Sequence, residues 1–392
     1  MATASVGRGV SKVNRPKRGR LQNYIVVWVD GNIDEKQDDC KKTLTNLRRV
    51  IHEVHICTTP SQCIDLLKKL DEEKSFVISS GAFGQHLVPE IHDMRQLDAV
   101  YIFCGNKARH EQWAKDWSKI EGVYTSIKPI CESLKKVAHR CDHDFIPMSF
   151  VPKQIIQETA LSQESHDELP PSYMYTMLFK EIILEIDEDD ENSIENLLLY
   201  CRKHDVSESE LINFQKQYIQ KAAVEWCSCN IFLFGMLNRA LWSFDMATMI
   251  KTGFFIRSLH KQLQQLHREQ ASTFEQNFIV YRGQAFTEEE FKHLTEVKGG
   301  LLAFNNFLST SKVKRVAMQF VEDRIGKDKQ VIGVLFIMTI DPKKISISDT
   351  PFALIAEYSA FPEEQEILFS MHTVFRVGEI QQSKANNRLW KV

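Results

Sequence analysis

Short apolar runs alternate along residues 21–140 with segments whose apolar residues recur at helical spacing. The runs are rich in β-branched and aromatic residues and predict strands, whereas the spaced segments predict helices. The predicted strands are Tyr24–Val29, Glu53–Cys57, Phe76–Ser79, Ala99–Cys104 and Val123–Thr125. The predicted helices are Lys41–Ile51, Pro60–Leu70 and Pro129–His139, with a loop around Gly81 and Gly84. This alternation predicts a doubly wound α/β domain, with a parallel sheet covered by helices on both faces.

The pattern differs in the rest of the chain. Residues 141–171 carry only short apolar pieces between polar residues and predict a linker. Helical spacing continues through 172–270, where one helix is predicted over residues 209–229, and short strands and turns follow in 271–392. The predicted strands are Phe278–Tyr281, Ala303–Ser309, Val331–Ile340, Glu366–Phe369, Thr373–Glu379 and Arg388–Val392, with a short helix at Met318–Arg324. We therefore expect a second, α+β domain over 172–392, made of a helical lobe and a mixed β core.

Residues 1–20 contain several Lys and Arg and no acidic residue, which predicts a disordered basic arm. Such an arm can solubilise the chain, or it can contact nucleic acid, lipid or an import receptor. The whole chain has a formal net charge of −3, which gives no general attraction to nucleic acid or to an anionic membrane. We therefore expect neither nucleic acid nor a membrane as a partner.

The cysteines and apolar runs suggest a reducing compartment. The nine Cys residues show neither a CxxC pair nor a Cys/His spacing typical of zinc sites, so neither disulfides nor a metal is expected. No apolar run has the length of a signal peptide core or a membrane span. The expected location is the cytoplasm, with the nucleus as the second choice.

An acidic stretch, Ala360–Phe369, passes directly from carboxylates into a strand-like apolar segment. Glu364 and Glu366 are two residues apart, so in an extended chain both side chains point to one face. Two carboxylates on one face repel each other unless a cation or a developing positive charge lies between them. The simple alternative is an acidic loop exposed to water.

Two further motifs carry groups suited to binding a phosphorylated sugar. Tyr281–Gln284 places Arg282 at a strand end, where a guanidinium can bind phosphate, before Gly283, which allows a ligand to approach the backbone. Phe304–Lys312 ends an apolar strand with three hydroxyl residues that can hydrogen-bond a sugar or a carboxylate. The alternatives are a plain turn for the first motif and a helix-capping turn for the second.

Together, in this order, the three motifs resemble the mono-ADP-ribosyltransferases of the Arg-Ser-Glu class. The resemblance runs from about residue 172 to the C-terminus, and Leu237–Leu241 is similar to the Asn-x-Ala-Leu segment of that family. It implies a glycosyltransferase-type enzyme that moves ADP-ribose from NAD⁺, its co-substrate, to a protein side chain without a metal.

The resemblance also implies roles on the NAD⁺ side of the site. Arg282 would bind the NAD⁺ phosphates, and the backbone of Gly283 would bind the nicotinamide carboxamide. Ser309 would hold the catalytic glutamate and the nicotinamide ribose. Phe307 and Lys312 would flank the loop that covers the nicotinamide, and thus also contact the cofactor.

The carboxylates would divide the remaining work. Glu366 would hydrogen-bond the ribose 2′-hydroxyl and stabilise the oxocarbenium-like state, as carboxylates do in glycosidases. Glu364 would orient and help deprotonate the acceptor, and Glu at this place in the family implies an arginine acceptor. Phe361 would contact the target protein, which is the expected partner. An NAD⁺ glycohydrolase and a non-catalytic interaction protein remain alternatives.

The N-terminal domain resembles a response-regulator receiver in its order of elements and in Lys128-Pro129 after the fifth strand. It departs from that family at Val29-Asp30, where the acidic pair is reduced, and at Ser79-Ser80, where the phosphorylated Asp is replaced. The resemblance therefore implies a degenerate receiver that serves docking or regulation and has a partner of its own. A different doubly wound domain is the alternative.

Overall fold

The computed structural model describes residues 23–70, 73–144, 146–156, 169–186, 190–204, 206, 208–218, 221–228, 232–243 and 245–392. The basic arm predicted for residues 1–20 lies outside the described residues.

The N-terminal domain is a parallel five-stranded sheet between helices. Its strands are β1 (Tyr24–Val29), β2 (Val54–Cys57), β3 (Lys74–Ser80), β4 (Leu97–Phe103) and β5 (Ile120–Tyr124), in the order β2-β1-β3-β4-β5. Its helices are α1 (Asp38–Arg48), α2 (Pro60–Lys68), α3 (Gly81–Ile91), α4 (Lys107–Ala114) and α5 (Ile127–Asp144). Apolar clusters cover both faces of the sheet, and the strand order is the flavodoxin-like one. The predicted α/β architecture is confirmed at this level.

The loop predicted around Gly81 and Gly84 is wrong, because both residues lie in α3. A Cβ on Gly81 would approach the ring of His110 to 2.4 Å, and one on Gly84 would approach Ile102 to 2.8 Å. These glycines therefore allow α3 to pack closely against its neighbours, a tertiary reason that outweighs their low helix propensity.

Residues 171–269 form the helical lobe. Its helices are α6 (Pro171–Glu185), α7 (Asp190–Lys203), α8 (Glu208–Tyr218), α9 (Ala223–Ser228), α10 (Phe232–Ser243), α11 (Met246–Lys251) and α12 (Gly253–Glu269). The helix predicted as one segment from residue 209 to 229 is thus two helices, α8 and α9. One apolar cluster joins these helices to each other and to the β core.

The β core contains two sheets and two helices. Its strands are β7 (Phe278–Phe286), β8 (Leu301–Phe304), β9 (Leu308–Ser311), β10 (Ile332–Ile340), β11 (Phe352–Leu354), β12 (Glu366–Phe369), β13 (Thr373–Arg376), β14 (Gln381–Gln382) and β15 (Leu389–Lys391), and its helices are α13 (Glu288–Glu296) and α14 (Lys314–Lys327). The larger sheet has the order β11-β12-β9-β7-β10-β15-β14. The strand predicted over Ala303–Ser309 is interrupted at Asn305, so its two parts belong to different sheets.

Part of the predicted linker is ordered structure. Helix α5 continues to Asp144, and Met148–Val151 forms strand β6. This strand pairs antiparallel with β8 in a three-stranded sheet of order β13-β8-β6. A short apolar segment was sufficient to add an edge strand, so the N-terminal domain connects directly into the β core.

The two halves contact each other at the amino edge of the parallel sheet. Arg239 donates to the side-chain oxygen of Asn23 at 2.8 Å and lies 3.9 Å from the carboxylate of Glu73. Further ion pairs join helix α14 to this edge through Arg324 with Asp98 and Lys327 with Glu121. All four N-terminal partners precede, begin or lie within the first residues of strands, so the opposite, carboxyl edge is directed away from this contact.

Within the described residues, no helix is long and apolar enough to cross a membrane.

Candidate active site

A cleft opens where strands β7 and β9 separate. The two strands pair only through Tyr281 and Ser311, whereas β7 pairs with β10 along its full length. Beyond that single pair the two strands form no further ladder, and the cleft lies beside them. The cleft contains about 300 Å³ of empty space, and its lining residues are Tyr281, Arg282, Gly283, Ser309, Thr310, Ser311, Val316, Ala317, Phe320 and Glu364.

Arg282 spans this opening. Its side chain is only 3% exposed; one guanidinium nitrogen donates to the carbonyl of Ser309 at 2.8 Å, and Nε donates to Gln284 at 3.3 Å. Arg282 and Gln284 are two apart on one strand, so they share a face. The sequence spacing could have identified Gln284 as a partner. The structure places Arg282 in the middle of β7 and not at a strand end as predicted, because the strand continues past Tyr281 to Phe286. The guanidinium is thus fixed within the strand, with a positive charge in the cleft.

Glu366 is buried at the start of β12, with 5% of its surface exposed. Burial raises the pKa of Glu366 above its ordinary value, and the Ser309 hydroxyl, which donates a hydrogen bond to the carboxylate, acts in the opposite direction. The charge of His139 also lowers this pKa, that of Glu364 raises it, and that of Arg282 lowers it. Four of the groups that define the site therefore act on one carboxylate.

Glu364 reaches the cleft by a route that differs from the extended chain assumed for the pair. Pro362–Glu364 form a turn of 3₁₀ helix, and Gln365 then adopts the left-handed conformation, with φ 47° and ψ 53°. This conformation is uncommon for a residue other than glycine. The Ser311 hydroxyl donates to the carbonyl of Glu364 at 2.5 Å, and the Lys312 amide donates to that of Gln365 at 3.2 Å. The turn is thereby fixed to β9, and only Glu366 of the pair lies on a strand.

Gly283 has a packing role that the sequence did not predict. A Cβ at this position would lie 2.0 Å from the carbonyl oxygen of Ala317 and 2.7 Å from Val321. Helix α14 therefore occupies the space beside Gly283 that was expected to admit a ligand. The residue still lines the cleft through its backbone.

The structure does not bring the side chains of Phe307 and Lys312 to the cleft. Phe307 is 2% exposed and packs in the apolar core of the helical lobe. The Lys312 ammonium lies 5.5 Å from the ring centroid of Phe274. The loop that contains Phe307 is fixed to the helical lobe, because the side-chain amide of Asn306 donates a hydrogen bond to the side-chain oxygen of Asn238 at 3.0 Å. That bond gives the Leu237–Leu241 segment a structural role, which is to position the chain that leads to Ser309.

Phe361 meets a residue of the N-terminal domain that sequence reasoning missed. Its ring stacks on the imidazole of His139 in α5, with centroids 4.8 Å apart and planes at 29°. Nε2 of the same imidazole lies 3.5 Å from the Glu364 carboxylate. A single His in an amphipathic helix carries no sequence signal of this kind, because the contact depends on how the two domains pack.

A larger groove, with about 820 Å³ of empty space, lies between α7 and α11, away from these residues. Its described lining residues are Ser193, Asn196, Leu199, Tyr200, Lys203, Ile250 and Lys251. They supply hydroxyls, ammonium groups and apolar surface. Arg282, Ser309 and Glu364 line the smaller cleft, and the buried Glu366 interacts with all three, so this cleft is the candidate active site. Among the described residues, no cluster of three or more His, Cys, Asp or Glu could hold a metal ion.

Several solved structures are similar to this chain at low identity. Plx2a, an ADP-ribosyltransferase toxin from Paenibacillus larvae, is 15% identical, with 45% of this chain and 88% of that chain covered and a TM-score of 0.31. The C3 exoenzyme of Clostridium limosum is 11% identical, with 58% and 97% covered and a TM-score of 0.27. C3stau2 from S. aureus, whose structure contains NAD, is 13% identical, with 46% and 80% covered and a TM-score of 0.25. A search of curated proteins found no match.

The sequence itself matches a family model described as ADP-ribosyltransferase exoenzyme over residues 251–390, a little over a third of the chain. The matched segment includes Arg282, Ser309, Glu364 and Glu366, which the fold gathers around one cleft. The C-terminal region of this protein therefore contains an ADP-ribosyltransferase exoenzyme domain.

Proposed function

We propose that this protein transfers ADP-ribose from NAD⁺ to arginine side chains of target proteins and releases nicotinamide. The observation that carries the proposal is the convergence on Glu366. A buried carboxylate accepts a hydrogen bond from Ser309 and lies among the charges of Arg282 and Glu364. This arrangement suits a reaction in which positive charge develops on a sugar.

On the sugar side of the reaction, the acting residues are Glu366, Ser309 and Arg282. As the glycosidic bond to nicotinamide breaks, the ribose acquires oxocarbenium character, and an adjacent carboxylate stabilises that charge most strongly where water is excluded. Glu366 meets this requirement through its burial. Arg282 supplies a fixed cation for the pyrophosphate.

The acceptor side falls to Glu364. A guanidinium is positively charged at neutral pH and is a poor nucleophile until a carboxylate orients it and accepts a proton. Glu364 lines the cleft beside Glu366, so the two carboxylates can serve the sugar cation and the acceptor cation together. Phe361, three residues earlier, is the aromatic side chain assigned to the target protein.

The N-terminal domain is proposed to be a degenerate receiver that serves docking or regulation. The strand order of the sheet supports this, since receivers share the flavodoxin-like order. Ser79, the penultimate residue of β3, has a buried side chain whose hydroxyl donates to the Ser80 carbonyl, and a serine there cannot form an aspartyl phosphate. The carboxyl edge, where doubly wound domains bind ligands, is opposite the contact with the transferase and is the place for a partner of this domain.

Labelled NAD⁺ and a mixture of proteins test the function directly. Wild type should attach ADP-ribose to arginines, located by mass spectrometry, and Glu364→Gln should lose this labelling while it retains most of its nicotinamide release. Glu363→Gln is the matched control, because Glu363 is exposed and its replacement should leave labelling unchanged. Nicotinamide release without protein labelling by wild type would favour a glycohydrolase. If wild type shows neither activity, the proposed function is wrong and the chain is a non-catalytic interaction protein.

A further inference from the structure

The acceptor side of the cleft is closed by a residue from outside the transferase domain. His139 lies near the end of α5, is 9% exposed, and contacts the two residues assigned to the acceptor. Its ring covers one face of Phe361, and its Nε2 lies within ion-pairing distance of the Glu364 carboxylate, at 3.5 Å. His139 also acts electrostatically on Glu366. One imidazole therefore faces both carboxylates and the aromatic ring.

The structure around His139 holds this contact in place. Three residues after the end of α5, strand β6 pairs with β8 of the β core. The amino edge of the N-terminal sheet is tied to the helical lobe by Arg239 and to α14 by two further ion pairs. The Arg239 and Glu73 side chains are each only 4% exposed. The strand pairing and these ion pairs join the N-terminal domain to the transferase domain, which holds α5 against Phe361 and Glu364.

We propose that His139 is a positioning residue of the acceptor subsite and that it determines the preference for a guanidinium acceptor. The inference rests on the proposed function. Nε2–H of an imidazole can donate to one carboxylate oxygen of Glu364, which leaves the other oxygen directed at the acceptor. The His139 ring stacks on one face of Phe361 and holds it in place, so that a planar guanidinium can lie against the other face beside Glu364.

The imidazole also fixes the orientation of the acceptor-side carboxylate. Its Nε2 lies 3.5 Å from the Glu364 carboxylate, so a hydrogen bond between them sets the direction of that group before the acceptor arrives. The acceptor guanidinium then binds to a group that is already oriented, which reduces the entropic cost of reaching the reactive geometry.

Two kinetic quantities test this role: the KM for agmatine, used as the guanidinium acceptor, and the rate of nicotinamide release without an acceptor. Both are measured with the full-length chain. His139→Ala should raise the KM for agmatine by about tenfold, the loss expected for one charge-assisted hydrogen bond. Nicotinamide release without an acceptor should fall by a smaller factor than transfer to agmatine, because it senses only the effect of His139 on Glu366 and not the loss of acceptor positioning. His139→Gln, whose amide can also donate to Glu364 and lie flat on Phe361, should recover much of the affinity for agmatine.

His86→Ala is the matched control, since His86 is an exposed histidine of the same domain, on α3. It should behave as wild type. An unchanged KM for agmatine in His139→Ala would overturn the inference and leave the proposed function standing. A rise in transfer would also overturn it, and would identify the contact as a shield over the site. Absence of nicotinamide release by wild type would overturn the proposed function first, and this inference with it.

Discussion

Glu366 combines burial with the negative charge that the proposed reaction requires. Burial raises its pKa, so in the folded protein it accepts a proton at a higher pH than an exposed glutamate does. Two consequences follow with opposite signs. Activity should be lost as pH falls through the raised pKa, because the carboxylate is the working form. The free energy of unfolding should instead decline as pH rises from the unfolded value to the folded pKa, because the folded state binds the proton more tightly.

Ser309→Ala removes one hydrogen bond that opposes the effect of burial on the pKa of Glu366. The Ser309 hydroxyl lowers the pKa of Glu366, so its removal should move the acid limb of the pH–rate profile to higher pH. Nicotinamide release at neutral pH should fall about tenfold, which corresponds to about 1.5 kcal/mol for a hydrogen bond to a charged group. The measurement is kcat/KM for NAD⁺ between acid and neutral pH. An acid limb at the wild-type position would show that Ser309 does not act on Glu366.

The elements around the site show which features a single sequence can reveal. Strand Glu366–Phe369 agrees with the structure because its apolar run is long enough to be distinctive, and Tyr24–Val29 agrees for the same reason. Helix α3 was missed because glycines indicate a loop unless their packing partners are known. The left-handed residue Gln365 was missed because nothing local distinguishes it. The motif residues were recognisable, whereas the turn that aims Glu364 at the cleft was not.

Packing of helix α14 on strand β7 provides a prediction at this scale. Gly283→Ala should lower the free energy of unfolding by about 2–4 kcal/mol, because its Cβ would overlap the backbone of α14. Urea denaturation measures the loss. Gly326→Ala is the control on the same helix, since a Cβ there meets no atom within 4 Å. It should stabilise slightly, by about 0.5–1 kcal/mol. Equal effects of the two variants would contradict the packing role of Gly283.

At the scale of the whole molecule, the chain consists of an α/β unit and an α+β unit, which are joined through a polar interface. Each unit was predictable from periodicity, because periodicity reports the core of a single domain. Their association was not predictable, since Asn23, Glu73 and Arg239 are ordinary polar residues until the fold places them in contact. The position of His139 follows from that association. The residues of the sugar side can therefore be recognised from sequence motifs. The surroundings of the acceptor side can be identified only in the folded chain.

The interface predicts coupling between two residues that are far apart in sequence. Arg239→Met should cost about 3–5 kcal/mol, because it leaves the Glu73 carboxylate buried without its cation. Addition of Glu73→Gln should recover part of that loss, and urea denaturation of all four proteins gives the coupling energy. Arg202→Met removes an exposed pair with Glu208 and should have little effect. Strictly additive losses for Arg239 and Glu73 would contradict the proposed contact.

Glu366 is the carboxylate that we propose stabilises the ribose cation during cleavage of NAD⁺. Its most direct test is nicotinamide release by wild type, Glu366→Gln and Glu363→Gln at matched folded protein concentration. Glu366→Gln keeps the size and hydrogen-bonding capacity of the side chain but removes its charge, so release should fall by about a thousandfold or more. Glu363→Gln, three residues earlier and exposed, should release nicotinamide at the wild-type rate. Comparable release by wild type and Glu366→Gln would contradict the account.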